Sequence, residues 1–231
     1  HDVVAYNNKL YAIGGWEAGT SLEVFDTGSW QPLADLPKTQ EGLAAALADG
    51  TIHTFGSYGN MPTHQVYDIA TDTWSTGPYM PEGDYWGTAE SAAATIFYIS
   101  DKVYSFNITN NQWSSLGTFG DFIPASAVHE NTLYIFGLES YATYDLATGT
   151  WGTFTPPPSG HGRAAEAVSV GSKIYLIGGN SGYVFEAYTD MEIYDPATDS
   201  WTIGPSLQTG RYQFGAEYFD GRLYVVGGRN E

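Results

Sequence analysis

The stretch KLYAIGG at residues 9–15 has the pattern of a short apolar strand that ends in glycine, and the sequence contains six copies of this pattern. The later copies read TIHTFGS at 51–57, TIFYIS at 95–100, TLYIFG at 132–137, KIYLIGG at 173–179 and RLYVVGG at 222–228. The first glycine of each copy, or Ser100 in its place, follows the previous one by 42, 44, 37, 41 and 49 residues. A repeat of this length predicts an array of units that bury their apolar faces only against their neighbours.

A second phrase follows each of the first five copies. It consists of an aromatic residue with Asp or Asn, a turn rich in Thr, Asp, Asn and Gly, and then Trp, as in YDPATDSW at 194–201. Other copies begin at Phe25, Tyr67, Phe106 and Tyr144. Because these turn side chains bond nearby backbone groups and tolerate turn conformations, the phrase predicts a hairpin between two strands.

Small residues precede the glycine-ended strands, as in LAAAL at 43–47, TAESA at 88–92, PASAV at 124–128 and AAEAV at 164–168. Alanine is a poor strand former, so its recurrence indicates a crowded position such as the innermost strand of a closed ring. Each unit then has four strands. No segment shows capped helical periodicity over ten or more residues, so we expect very low helix content. Four-stranded units at this period predict the blades of a β-propeller.

The glycine doublet, the Tyr-Asp pair and the spaced Trp together resemble the kelch motif, and the whole chain resembles the kelch-repeat β-propeller family. The doublet is complete only at 14–15, 178–179 and 227–228. The third copy has Ser100 and Asp101 instead, so we expect its turn to differ. The resemblance implies a propeller and no particular activity, because one fold carries many functions.

The blade count predicts a single all-β domain over 1–231, a kelch-type β-propeller with five complete four-stranded blades and a two-stranded partial sixth blade. The predicted blades lie at about 2–37, 42–81, 86–119, 122–158 and 162–207, with the partial blade at 211–231. Three explanations of the partial blade remain open: a fragment of a longer propeller, a half-blade that closes the ring as it is, or an edge completed by another chain. The start at His1 favours a processed or trimmed product. The edge strand open to assembly comprises Arg222, Leu223, Tyr224, Val225 and Val226.

Composition excludes several classes of partner. The chain has 26 acidic and only 8 basic residues, a formal net charge of −18, and no cysteine. A phosphate backbone or an anionic membrane would be repelled, so we expect no nucleic-acid partner and no membrane docking. The sequence contains no stretch of 18 apolar residues, so it predicts no membrane-spanning helix.

Candidate binding residues lie in loops expected at one face of the ring. Aromatic side chains there can stack on sugars or anchor a protein partner, or simply pack the loops together. Arg163 and Arg211 can grip the carboxylate of an acidic peptide or sugar, or pair with Glu166 and Glu217. The long loop at 180–190 is a favoured position for function. The predicted binding residues are Trp16, Tyr58, Tyr85, Trp86, His161, Arg163, Tyr183, Phe185, Arg211 and Tyr212.

Glu90, Glu166 and Glu217 lie within the small-residue strands at spacings that place them on equivalent faces. Such inner-channel carboxylates can bind a cation or titrate with raised pKa values, or they pair with backbone, arginine or water. The five histidines show no metal-ligand spacing, so we expect no metal and no cofactor, and we assign no catalytic residue. Asn107 begins a glycosylation sequon, Asn-Ile-Thr.

These features favour a secreted, non-enzymatic binding or structural module that uses its loops, and its open edge, for protein–protein contact or self-association. The alternative is an acidic-sugar-binding enzyme resembling the kelch-type sialic acid mutarotases. A third reading, an intracellular adaptor for acidic segments, lacks a visible basic pocket. Carbohydrate remains a possible ligand in the first two readings.

Overall fold

The computed structural model describes residues 1–15, 19–59, 61–160, 163–180 and 186–230, which form 22 β-strands and no helix. The strands make five four-stranded sheets and one two-stranded sheet, and all their pairings are antiparallel. The prediction of an all-β propeller with five complete blades and a two-stranded sixth is confirmed. Nothing in these ranges forms a helix long and apolar enough to cross a membrane.

The blades follow one another along the chain. Blade 1 contains β1 Asp2–Tyr6, β2 Lys9–Ile13, β3 Leu22–Asp26 and β4 Ser29–Pro32. Blade 2 contains β5 Ala44–Ala48, β6 Thr51–Phe55, β7 His64–Asp68 and β8 Thr73–Thr76. Blade 3 contains β9 Thr88–Ala92, β10 Thr95–Ile99, β11 Lys102–Asn107 and β12 Gln112–Thr118. Blade 4 contains β13 Ala125–His129, β14 Thr132–Phe136, β15 Tyr141–Asp145 and β16 Thr150–Gly152. Blade 5 contains β17 Glu166–Val170, β18 Lys173–Ile177, β19 Met191–Asp195 and β20 Ser200–Ile203, and blade 6 contains β21 Gly215–Phe219 and β22 Arg222–Val226.

The first strand of each blade lies innermost, and the six inner strands close a ring. Each of β1, β5, β9, β13 and β17 packs against the next, and β21 packs against both β17 and β1. Gly215 allows this closure, because a Cβ there would lie 2.9 Å from the Val3 nitrogen and 2.7 Å from the Val3 Cγ2. The half-blade therefore completes the ring at its centre.

The small residues predicted for the inner strands lie between neighbouring blades. Ala44, Ala46 and Ala48 pack with Ile96 and Tyr98 of blade 3. Ala45, on the other face of the same strand, packs in a cluster with residues of blade 1. Larger side chains at these alternating positions would separate the blades, because interiors are close-packed.

Blade 3 differs where the glycines are lost. Only Ser100 and Asp101 join β10 to β11, whereas eight residues join β2 to β3 in blade 1. The Ser100 hydroxyl donates to the Asp84 carboxylate, and the Ser100 amide donates to the Lys102 carbonyl at 2.9 Å. The short link therefore replaces a glycine-ended loop with a tight turn held by side-chain bonds.

The outer-strand tryptophans tie each blade to the one before it. Four of them donate from the indole Nε1 to a carbonyl just beyond the fourth strand of the preceding blade, or within it. The pairs are Trp74 with Ala34 at 2.7 Å, Trp113 with Pro78 at 3.1 Å, Trp151 with Leu116 at 3.0 Å and Trp201 with Thr155 at 2.7 Å. Trp30 of blade 1 faces the two-stranded blade 6, is 37% exposed, and makes no such bond within the described residues.

Comparing Trp74→Phe with Trp30→Phe measures this tryptophan clamp. Both rings pack on the aromatic residue of their own blade, at centroid distances of 5.1 Å for Tyr67–Trp74 and 5.4 Å for Phe25–Trp30. We expect Trp74→Phe to lower the free energy of unfolding in urea by about 1 kcal/mol more, the usual net worth of one hydrogen bond. Equal losses in the two variants would show that the clamp adds no stability.

Candidate functional site

A cavity of about 550 Å³ opens at the ring mouth, where the inner strands begin and the second strands end. All six blades contribute to its wall. The contributing segments include Gly14 and Gly15, Gly42 and Leu43, Trp86 to Thr88, Ile123 and Pro124, Ala164 to Glu166, and Gln213 with Phe214. Its volume falls within the range typical of ligand pockets.

An aromatic ledge borders this cavity and consists of Tyr58, Tyr85, Trp86 and Phe122. Ring centroids are 5.3 Å apart for Tyr58–Tyr85, 4.9 Å for Tyr85–Trp86 and 5.9 Å for Trp86–Phe122. The indole of Trp86 covers Gly42, where a Cβ would lie 2.1 Å from the indole Cδ1. Three predicted binding residues are thus brought together, and Phe122 joins them.

Backbone bonds between loops of neighbouring blades hold the ledge in place. The Tyr58 amide donates to the Glu41 carbonyl at 2.8 Å, and the Trp86 amide donates to the Gly42 carbonyl at 2.7 Å. The Ser57 amide donates to the Asp84 carbonyl at 2.9 Å. Because the loops are fixed before any ligand arrives, less ordering entropy is lost on binding. Tyr58 nevertheless remains 54% exposed.

Four carboxylates face one another inside the ring: the predicted Glu90, Glu166 and Glu217, and also Asp2. Asp2 and Glu166 share one register position, opposite the last residue of their blade's second strand, and both line the cavity. Glu90 and Glu217 lie two register positions deeper. These four residues are the channel carboxylates.

Their hydrogen bonding is uneven. Asp2 accepts from the Ala45 amide at 2.6 Å and from the Val3 amide at 2.7 Å. Glu90 accepts from the Ser126 hydroxyl at 3.1 Å. The Glu166 carboxylate takes no hydrogen bond from any residue in the described part of the chain, although it is half-buried in the channel wall near the amino group of His1.

Burial is the main cause that raises the pKa of every channel carboxylate. It raises the pKa of Asp2 to about 6, of Glu217 to about 7 and of Glu90 to about 8. The pKa of Glu166 lies well above its usual value because burial is joined by the charges of Asp2 and Glu90. The negative charge of the channel therefore grows as the pH rises through the neutral range.

Asp2 was missed by sequence reasoning although its spacing carried the signal. It precedes the next strand, which starts at Lys9, by seven residues, as Glu166 precedes Lys173. The first inner strand reads DVVAY, with a single alanine, whereas the segments at 43–47, 88–92, 124–128 and 164–168 have two or three. Aligning copies by the start of the second strand would have found it.

The predicted arginines lie beside the cavity rather than in its described lining, which includes Arg229. Arg211 donates from Nη1 to the Gly227 carbonyl at 2.5 Å. Arg163 is half-buried, and its carbonyl accepts from the Asn180 amide at 3.1 Å. Tyr212 is only 5% exposed, and its main chain pairs with that of Arg229.

Four of the predicted binding residues, Trp16, His161, Tyr183 and Phe185, lie outside the described residues. Asn107 of the sequon is half-buried at the end of β11. Its Oδ1 accepts from the amides of Thr109 at 3.0 Å and Asn110 at 3.1 Å, as Asp68 does for the amides of Ala70 and Thr71 in blade 2. The sequon asparagine thus also shapes a blade turn.

The edge strand β22 pairs only with β21 among the described residues. Asp220 and Gly221 have φ angles of 48° and 75°, which form a two-residue hairpin turn closed by Phe219 and Arg222. In such a hairpin, alternate residues turn their backbone groups away from the partner strand. Leu223 and Val225 therefore present backbone groups to the open edge.

Two histidines that showed no motif spacing meet inside blade 2. His53 Nδ1 lies 2.9 Å from His64 Nε2, and His64 Nδ1 lies 3.0 Å from the Pro78 carbonyl. Burial lowers the pKa of His53 to about 3 and of His64 to about 4, so both are neutral at pH 7. In the part of the chain that the structure describes, no three or more His, Asp or Glu side chains are arranged so that they could hold a metal ion.

Comparison with known proteins agrees with the strand pattern, because a family model described as the kelch motif matches residues 1–37 and 161–208. The chain therefore carries kelch motifs within a β-propeller of five complete blades and a partial sixth. A solved structure titled "Structure of YjhT" superposes with a TM-score of 0.85 over 99% of this chain and 90% of that one. At 16% sequence identity, this likeness speaks for the fold alone.

Curated relatives are also kelch proteins. "Kelch-like protein terF" of Aspergillus terreus is 26% identical over 99% of this propeller and 60% of its own length. "Kelch-like protein 38" of Homo sapiens is 24% identical over 97% of this propeller and 43% of its own length. The propeller thus spans 43–60% of the length of these relatives. Their resemblance supports a protein-binding or structural module in general terms.

The raised pKa values predict how stability depends on pH. Between the ordinary glutamate pKa of 4.5 and the value of about 8 for folded Glu90, the unfolded chain releases a proton that the folded chain keeps. Glu90 therefore lowers the free energy of unfolding as the pH rises through this window. We expect Glu90→Gln to raise that free energy at pH 8 by up to about 4 kcal/mol, since each tenfold change in proton affinity between 4.5 and about 8 corresponds to about 1.4 kcal/mol.

At pH values below 4.5 the same variant should match the parent, because Glu90 is protonated in both states. Urea denaturation at both pH values makes the measurement. Glu130→Gln, at an exposed turn on the opposite face, is the matched control and should show no gain at either pH. A gain of equal size at low and high pH would contradict the assigned titration.

Proposed function

We propose that this chain is a non-enzymatic binding module that holds a segment of a partner protein at its ring mouth. The observation that carries the proposal is the pre-organised aromatic ledge beside a cavity of about 550 Å³. The kelch-like relatives support protein binding as the general type of function.

The ledge has the properties of a protein-binding hot spot. Tyrosine and tryptophan dominate such hot spots because they supply a large rigid contact area that loses little entropy. Tyr58 projects with more than half of its surface exposed, while Tyr85 and Trp86 form a half-buried base beneath it. A partner side chain seated on this base would continue into the cavity, whose wall includes Trp86.

The acidic-sugar alternative has less support at this mouth. A sugar carboxylate needs a cation in the wall, and Arg211 lies outside the described lining and directs Nη1 to the Gly227 carbonyl, which leaves Arg229 as the arginine there. Asp2 and Glu166 stand in the cavity wall and would repel an anionic group when ionised. Protein binding therefore accounts for more of the geometry than acidic-sugar binding.

Selection from a random peptide library displayed on phage tests the proposal. We expect the propeller to enrich peptides whose affinity falls at least about tenfold in Tyr58→Ser, the loss that corresponds to a hot-spot contact. Tyr79→Ser is the matched control, because Tyr79 is 59% exposed and follows the outer strand β8, away from the mouth. Failure to enrich any peptide, or equal losses in the two variants, would contradict a binding site at the ledge.

A second candidate function, self-association through β22, has its own supporting observation. The Leu223–Val225 segment turns backbone groups to an unpaired edge, and Trp30 of blade 1 lacks the clamp that other blades have. An exposed edge of this kind templates the addition of a strand from another chain. We propose that two copies pair along this edge.

Replacing Leu223 tests the edge directly. Leu223→Pro removes an outward-facing amide while sparing the β21–β22 ladder, since proline is tolerated on edge strands. Leu223→Ala loses the same packing and keeps the amide. We expect sedimentation over a concentration series to show a dimer for the parent and Leu223→Ala, with dissociation at least about tenfold easier in Leu223→Pro. A strictly monomeric parent at every concentration would overturn self-association.

A secreted location belongs to the same proposal. It is supported by the scarcity of basic residues and by the sequon, in which Asn107 uses Oδ1 for its turn and keeps its amide nitrogen available for a glycan.

A further inference from the structure

The mouth cavity combines an acidic wall with an aromatic rim, and this combination selects a particular chemistry. We infer that the partner segment bound at the mouth carries an arginine or lysine side chain, whose cationic end enters the cavity beside Glu166 and Asp2. The inference rests on the proposed function and names the ligand chemistry of the same site.

Glu166 is the residue best placed to receive a cation. Its side chain is half-buried in the cavity wall and accepts no hydrogen bond within the described residues. The positive charge that acts on it is the amino group of His1, and burial lowers the pKa of that group. Asp2 lies at the same register position, but its carboxylate already accepts two backbone amides. A guanidinium or ammonium group would supply the donors that Glu166 lacks.

The balance of charge around the cavity favours a cationic ligand. Asp2, Glu23 and Glu166 line it, against Arg229 and the imidazole and amino group of His1. Glu90 and Glu217 lie one layer deeper and add negative potential to the same cavity. A cleft in which ionised carboxylates predominate attracts a cationic end and repels an anionic one.

The ledge suits the rest of an arginine or lysine side chain. These residues lay their methylene stems along apolar surface and keep the charged end apart. Trp86 belongs both to the ledge and to the cavity wall, so its indole lies along the path from one to the other. Tryptophan is also the preferred ring for contact with a cation.

Binding of a cation should be linked to release of protons. The channel carboxylates hold protons near neutral pH because burial raises their pKa values, and a nearby cation favours their ionised forms. Affinity should therefore rise with pH from about 5 to 8. The charged and titratable groups facing the cavity from its surrounding elements are Asp2, Glu23, Glu90, Glu166, Glu217, Arg229, and the imidazole and amino group of His1.

The test uses three acetylated and amidated pentapeptides that differ at one position. GSRSG carries arginine, a second peptide carries its neutral isostere citrulline, and GSESG carries glutamate. We expect NMR titration of the propeller at pH 8 to show the arginine peptide binding about tenfold more tightly than citrulline, as one partly desolvated charge pair supplies. Binding of glutamate should be the weakest. Equal affinity for arginine and citrulline, a preference for glutamate, or no arginine binding at millimolar concentration would overturn the inference.

Two variants locate the effect. Glu166→Gln should weaken the arginine peptide about tenfold, flatten its pH dependence and leave citrulline unchanged, because it removes the charge and keeps the shape. Glu130→Gln changes net charge equally on the opposite face and should leave all three affinities unchanged. Glu166→Gln relieves repulsion among buried acids, so thermal unfolding should show a folded protein. An equal loss of affinity in both variants would show a general charge effect and would overturn the site.

The outcomes separate this inference from the proposed function. Phage-selected peptides whose affinity depends on Tyr58 but which contain no basic residue would support the binding module. They would overturn the inference that the ligand carries an arginine or lysine side chain. Arginine binding that depends on Glu166, without any Tyr58-dependent peptide, would do the reverse: it would keep the cation site and remove the protein-binding ledge.

Discussion

Close approach of six strands around one axis is the constraint on which the rest of this propeller depends. Alanines at alternating positions of β5 allow neighbouring blades to meet there, and Gly215 allows β21 to meet β1. The ring closes at its centre although the sixth blade has two strands. Inner-strand side chains larger than alanine fit only where the ring leaves space. Four of these larger side chains are acidic: Asp2, Glu90, Glu166 and Glu217.

Crowding at the centre also explains the chemistry of the mouth. Strands that pack tightly exclude water, and carboxylates on their walls then hold protons more firmly than usual. The loops that lead into β9 and β13, together with the loop after β6, carry the aromatic ledge, held by backbone bonds such as Trp86 to Gly42. One packing arrangement therefore supplies a rigid apolar rim and a titratable acidic floor.

Much of the fold was predictable because the same strand pattern recurs six times in the sequence. The blade count, the inner position of the alanine-rich strands and the altered turn at Ser100 follow from local pattern. The shared spacing of Glu90, Glu166 and Glu217 also indicated that they face one another. Contacts that depend on strand register or on loop direction could not be predicted from the repeat pattern. His53 meets His64 because Phe55 pairs with His64 across the hairpin, and Arg211 turns to Gly227 rather than to a ligand.

The tryptophan clamps all run from one blade to the preceding blade, and they leave one blade junction without a clamp among the described residues. Each clamp joins a blade to its predecessor, so the junctions behave as a chain of nearest-neighbour couplings. At the junction of blades 6 and 1 the described residues form no tryptophan clamp. The two blades meet there through the packing of β21 on β1 and β2, the ring contact of Phe25 with Tyr224, and the hydrogen bond between His1 Nε2 and the Val226 carbonyl. Opening fluctuations of the native ring should concentrate there, and amide protons of β1 and β21 should exchange through them more readily than those of β9 and β13.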